Sequence, residues 1–229
     1  MFEKLLIMKI LLITQDFFPS SGGIAVFLHN LCLHLCYLGH RVDVLTPDSV
    51  GCHEFDIQQP YRVYRYSISR RMSSLIPLYH TLYLYYRHRY DVVFLGHFMS
   101  THALGALLLR KICRVPYVFL THGNDLNCSI KTWLDKVVAG KLHWLIGNAD
   151  MMLGNSHYTA KRIRQKGYEG PINVLNPGVD TRQFRPGLDT ASIKRKYGLN
   201  GHRVLLTTAR LVARKNIDSV LRALPRVIE

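Results

Sequence analysis

The sequence predicts an α/β protein built on a parallel sheet with helices on both faces. Three observations carry this prediction. Short aliphatic and β-branched runs recur along the chain, and most lack the polar alternation of a sheet with one wet face. Segments with apolar residues at 3.6-residue spacing separate them, as crossover connections between parallel strands require. Hydrophobic residues make up 48 % and charged residues 20 % of 229, which supplies a core and excludes disorder.

The first strand is expected over 9–14, from KILLIT. A loop with Ser20, Ser21, Gly22 and Gly23 leads into a helix whose stripe is Ile24, Phe27, Leu28, Leu31, Leu35 and Leu38, stopped by Gly39. Further strands are expected over 41–46, 61–67, 91–95, 116–121, 151–154 and 172–175, and helices over 75–88, 101–112, 132–147 and 157–166. Residues 48–60 read as a variable loop. The sequence changes texture at the Asn176-Pro177-Gly178-Val179-Asp180 turn cluster. The expected organisation is therefore a domain over 8–180, a linker over 181–202, and the opening of a second, incomplete α/β domain over 203–229. That opening comprises a strand over 203–208 and a helix over 216–228, after a short helix over 192–197.

Thirty Lys and Arg against fifteen Asp and Glu give a net charge of +15. Between Ile57 and Asn124 the one acidic residue is Asp91, among Arg62, Arg65, Arg70, Arg71, Arg87, Arg89, Arg110, Lys111 and Arg114. Such a surface attracts nucleic acid, an anionic leaflet or a phosphorylated substrate, and charge alone does not choose among them. The five cysteines are odd in number and lack paired zinc spacing, so reduced thiols are expected, with Cys32 and Cys36 as small core residues. The apolar start is broken by Lys4 and Lys9 and is too short to span a bilayer. Met8 is a natural start, which makes residues 1–7 an upstream extension.

Three stretches invite chemistry. Gly22-Gly23 at a helix N-terminus suits a phosphate, because free N–H groups and the helix dipole meet there; a plain βα turn fits equally well. Thr121-His122-Gly123-Asn124-Asp125 follows an apolar strand at the end where parallel sheets bind ligands, although a histidine there is often structural. Arg210, Arg214 and Lys215 flank a second turn into a helix, where a guanidinium and an ammonium suit a diphosphate; a solvated basic loop is the plainer reading.

Taken together, these stretches resemble the family-4 glycosyltransferases of GT-B fold. The matching pieces are MKILLIT with FFPSSGGIAVFLHNLCLHLCYLGHRVDVLTP, then THGND, NSHYTAKRI, NPGVDTRQFRP and TARLVARKNID, in that order over Met8 to Ile228. The resemblance implies two Rossmann-like sheets facing across a cleft, with this chain holding the acceptor-side domain. It also implies transfer of a hexose-type sugar from a nucleotide-sugar donor, with retention, to a glycan, lipid-linked or other envelope acceptor. Gly22 and Gly23 then close on the donor diphosphate, which Arg210 and Lys215 neutralise as it leaves. His122 lines the cleft, and Asp125 matches a frequent acidic position. These two are the catalytic candidates. Asn176, Gly178 and Val179 match the interdomain turn. Ser156 and Thr159 match a helix-opening pair that N-capping explains. With Arg210 and Lys215 supplying positive charge, neither a metal nor a cofactor is expected.

The acidic motif that holds the donor's sugar and ribose in that family has no counterpart here, so the chain alone is expected to transfer sugar poorly. The alternative readings are a non-catalytic half of a split or truncated glycosyltransferase that needs a second polypeptide and, behind it, a basic nucleic-acid-binding α/β module. No standard nucleic-acid recognition motif occurs, so that partner is not expected.

Eight of 13 tyrosines fall between Tyr61 and Tyr90. Tyr79, Tyr83, Tyr86 and Tyr90 share helical spacing, with Arg70, Arg71, Arg87 and Arg89 at the flanks. Either this is a core-packed helix, or the face docks on an anionic membrane. The second reading places the protein in the cytoplasm, peripheral on the inner face of the plasma membrane.

Overall fold

A computed structural model describes residues 6–67, 75–96, 100–123, 126 and 146–228. It divides into two units, 1–178 and 179–229.

The first unit holds a seven-stranded sheet. Its strands are β1 (Lys9–Ile13), β2 (Arg41–Pro47), β3 (Arg62–Tyr66), β4 (Val92–Leu95), β5 (Tyr117–Thr121), β6 (Met151–Gly154) and β7 (Ile172–Val174). The helices between them are α1 (Gly23–Tyr37), α2 (Cys52–Asp56), α3 (Leu75–His88), α4 (Ser100–Cys113) and α5 (His157–Gln165). The strand order is β3-β2-β1-β4-β5-β6-β7, and every pairing is parallel. The chain starts at the centre, winds outward to β3, then returns to the other side of β1. Order therefore reverses between β1 and β4, where doubly wound sheets open a crevice at their carboxyl ends.

Alternation along each strand divides the core in two. Leu11, Ile13, Val93, Leu95, Tyr117 and Phe119 face one side, under Leu84 of α3 and Ala103, Ala106 and Leu107 of α4. Ile10, Leu12, Val42, Val44, Val92 and Phe94 face the other, against Leu28 and Cys32 of α1. Both faces are covered, which is why KILLI and VVFL read as continuous apolar runs.

The second unit contains α6 (Ala191–Lys196), a 3-10 turn (Ala213–Lys215) and α7 (Ile217–Ile228). The expected strand over 203–208 does not form. A strand is stable only beside partners, and the described residues of this unit contain none.

Three further differences separate the structure from these expectations. Residues 52–56 form α2 inside the expected loop. Tyr90 leaves the tyrosine face because α3 ends at His88 and Arg89 turns left-handed (φ 52°); Tyr90 is buried and its hydroxyl donates to Asp43 at 2.6 Å. Arg65 and Arg110 do not belong to a bare cationic surface, since they pair with Asp56 and Asp150, both at 2.8 Å. The expected helix over 132–147, Asp125, Arg70 and Arg71 lie outside the described residues, apart from the helical 146–147.

Among the described residues no helix is long and apolar enough to cross a membrane, and no cluster of three His, Cys, Asp or Glu is placed to hold a metal.

Candidate functional site

The sheet gathers three expected site residues at one end. β1 runs out at Ile13, and its loop passes the buried Thr14 and Phe17 before Gly22 and Gly23 open α1. The carbonyl of Gly22 accepts the first helical bond, from the Val26 N–H at 3.1 Å, which leaves the N–H groups ahead of it without helical partners. A Cβ placed on Gly22 or Gly23 would meet nothing within 4 Å. Neither glycine sits in the left-handed region, so neither packing nor backbone conformation requires glycine there.

His122 follows β5. Its Nε2 lies 3.2 Å from the Gly96 carbonyl after β4, and its ring meets Phe27 of α1 edge-on, at 5.7 Å and 84°. Phe27 is one turn inside the helix that Gly23 starts, so the histidine packs on the same helix that the glycine turn opens. Gly96 makes that convergence tight. Its N–H donates to Ile13 at 2.9 Å, and a Cβ there would lie 2.8 Å from Leu28.

The turn beyond His122 is fixed independently. Gly123 is left-handed (φ 90°), its N–H donates to the Thr121 hydroxyl at 3.3 Å, and its carbonyl accepts from Arg162 at 3.1 Å. Ser156 caps α5, accepting from the Thr159 N–H at 3.2 Å, as N-capping anticipates.

Arg210 and Lys215 belong to the second unit, where both are exposed. Lys215 ends the 3-10 turn, Asn216 is left-handed (φ 49°), and α7 begins at Ile217. Asn176, Gly178 and Val179 lie in exposed coil, with the division between units falling after Gly178. The structure thus places Gly22, Gly23 and His122 at the same end of the first unit's sheet, after β1 and β5, and places Arg210 and Lys215 in the second unit.

Sequence reasoning missed the support beneath the glycine loop: α2, Arg65 and the aromatic group of Phe17, Phe18, His29, Phe55 and Tyr61. One signal was available. Phe17-Phe18 are large apolar residues in a loop, and a loop rarely carries two unless they are anchored.

A family model described as Glycosyltransferase Family 4 matches residues 21–183, from the glycine turn to the start of the second unit. The chain belongs to glycosyltransferase family 4. A curated relative from Mycolicibacterium smegmatis, a GDP-mannose-dependent alpha-(1-6)-phosphatidylinositol monomannoside mannosyltransferase, is 32% identical over 232 residues, covering 95% of this chain and 56% of that protein. Its namesake from Mycobacterium tuberculosis H37Rv is 28% identical, covering 96% and 57%. The phosphatidylinositol N-acetylglucosaminyltransferase GPI3 subunit of Saccharomyces cerevisiae S288c is 25% identical, covering 96% and 50%. The chain thus spans little more than half the length of the curated relatives it matches. Among solved structures, Anabaena Alr3699/HepE with UDP and glucose superposes with a TM-score of 0.61 at 18% identity, covering 84% of this chain and 50% of that one. A UDP-N-acetylglucosamine 2-epimerase from Rickettsia bellii reaches 0.56 at 12%, covering 84% and 52%. At these identities the structural likeness speaks to the fold and not to the reaction.

Proposed function

We propose that this chain forms the acceptor-side part of a retaining glycosyltransferase that moves a hexose, mannose from GDP-mannose in the favoured reading, onto a glycolipid. One observation carries the proposal. The family match runs through the residues that the fold gathers at the carboxyl ends of β1, β4 and β5: the glycine turn, His122 and Gly96.

Breaking the anomeric C–O bond to a nucleoside diphosphate builds negative charge on the phosphate oxygens. In this reading the N–H groups at the start of α1 receive that charge, and Arg210 and Lys215 are the cations that neutralise it. Fixed dipoles and cations there stabilise the transition state more than the ground state. His122, aimed by the Gly96 carbonyl and Phe27, lines the place where sugar and acceptor hydroxyl meet, with Asp125 in the same segment. Asn176, Gly178 and Val179 form the turn at which the chain passes from the first unit to the second. The donor choice follows the relatives named for GDP-mannose, and the acceptor follows their phosphatidylinositol mannosides.

The experiment offers labelled GDP-mannose, UDP-glucose and UDP-N-acetylglucosamine with phosphatidylinositol mannoside vesicles to chain 1–229 and to any longer form read from the same frame. Label transferred to lipid from GDP-mannose, with the anomeric configuration kept, is expected from the longer form. Failure of every donor in every form removes the proposal. The 1–229 chain alone is expected to turn over far below the enzymic norm of about 1 per second.

The acceptor also brings a surface with it. Tyr79, Tyr83 and Tyr86 stand exposed on α3 beside Leu75 and Leu82, and the Arg89 guanidinium lies over the Tyr85 and Tyr86 rings. Arg87 is exposed at the same end. Aromatics with cations at one end of an apolar face suit the headgroup layer of an anionic leaflet, so the protein works peripherally on the cytoplasmic side.

A further inference from the structure

One side chain from β3 holds the loop that leads to the glycine turn. The Arg65 guanidinium donates Nε to Oδ2 of Asp56 at 3.0 Å and Nη2 to Oδ1 at 2.8 Å. Its Nη1 donates to the Pro47 carbonyl at 3.0 Å, and Nη2 donates also to the Phe18 carbonyl. The two side chains are only 10% and 15% exposed. A single fork thus ties together the end of β2, the end of α2, β3 and the β1–α1 loop.

The loop's own side chains are seated on the same support. Phe17 is buried, edge-on to Phe55 and Tyr61. Phe18 stacks on Phe55 at 5.4 Å and meets His29 of α1 edge-on at 5.0 Å. Four residues later the anchoring ends, since nothing lies within 4 Å of where a Cβ of Gly22 or Gly23 would be. The placement of the glycine turn is therefore set upstream, at Phe17 and Phe18, and the Phe18 carbonyl is held by Arg65.

A guanidinium suits this task because it alone offers a planar fork to a carboxylate while further donors reach two carbonyls; an ammonium cannot satisfy all four acceptors in one plane. Burial makes the pair all-or-none, because either partner left alone is an uncompensated charge away from water. We infer that Arg65, locked by Asp56, is a positioning residue that presets the β1–α1 loop so that the Gly22–Gly23 turn receives the donor diphosphate. It touches neither sugar nor phosphate. The inference rests on the function proposed above and adds the side chain on which donor affinity depends at a distance.

The decisive measurement is hydrogen–deuterium exchange on chain 1–229 with two variants. Arg65→Lys keeps the charge and loses the fork. The double variant Arg65→Met/Asp56→Leu removes the pair as a unit, so that no charge is stranded. Amides of 17–26 are expected to exchange about tenfold faster or more in both, while those of β4, β5 and α4 keep their protection. Unchanged exchange in the loop overturns the inference. So does an equal loss across the sheet, which would make Arg65 a support of the whole fold.

Kinetics on the active form supplies the second readout. Arg65→Ala should raise the KM for donor about tenfold or more, with kcat and acceptor KM near those of the unsubstituted protein, and added guanidinium ion should restore part of the loss. A fall in kcat alone, or a matching rise in acceptor KM, counts against positioning of the donor loop. If the unsubstituted protein uses no nucleotide sugar, the functional proposal falls, while the exchange data still decide whether Arg65 anchors the loop.

Discussion

At Gly154 a Cβ would lie 2.8 Å from the Ala160 backbone nitrogen and 3.2 Å from the Ser156 carbonyl, so the end of β6 touches the first turn of α5 directly. Neither of those atoms can rotate away. Gly154→Ala is expected to destabilise the first unit by about 1–3 kcal/mol, as overpacking does, and calorimetry should show a lowered Tm. Gly23→Ala is the contrasting case. Space is open there, so stability should stay within about 0.5 kcal/mol of the unsubstituted protein while affinity for nucleoside diphosphate falls in the active form. Equal affinities would remove the phosphate role from this turn. His29 supplies a pH dependence. Burial holds its pKa below the ordinary 6.5, while burial pushes the Tyr61 hydroxyl well up, so at neutral pH the imidazole and the phenol are both uncharged and share one hydrogen bond. A histidine kept neutral on folding contributes stability that is full above its unfolded pKa and is lost as pH falls through the lower folded value. Tm should thus decline below about pH 6.5, with a shallower slope in His29→Gln. Identical slopes in the two proteins would show that His29 is not the group concerned.

The inner strands were legible because they are buried on both faces, and a run such as Lys9–Ile13 has no other stable use in a protein this apolar. α2 was not, because five residues carry too little periodicity to separate a helix from a loop. That omission hid Arg65 as well. Its partner Asp56 ends α2, so without the helix the arginine looked like one more cation in a basic stretch. Arg110 was hidden differently, since Asp150, which also accepts from the Tyr117 N–H at 3.0 Å, lies forty residues further on. The tyrosine pattern was right for three positions and failed at the fourth, because spacing cannot show that the helix has already ended. On α3, replacing Tyr79, Tyr83 and Tyr86 together with serine should leave Tm nearly unchanged, since all three are exposed, and should weaken flotation with anionic vesicles. Equal flotation of both proteins, or none by either, removes the membrane role.

The two units differ in kind. Buried residues belong to the first; among the described residues of 179–229 none is buried, and Leu205, Leu206 and Leu211 are largely exposed. Hydrogen exchange should accordingly be slow in β1, β4 and β5 and fast throughout 179–229, including α7. Protection in α7 equal to that of β4 would contradict this. The pair Arg210 and Lys215 was legible as a motif; both belong to the second unit, whereas Gly22, Gly23 and His122 belong to the first. The sheet's order has a separate effect on how the molecule comes into being. β1 is made first yet occupies the middle, and one of its two neighbours is β4; Lys9 and Asp91, joined backbone to carboxylate, stand 82 residues apart. A ribosome therefore releases a sticky ribbon long before its second flank exists. Closing so wide a loop takes time, which places renaturation toward the slower range for mixed topologies and leaves the nascent chain dependent on shielding until residue 95 has emerged.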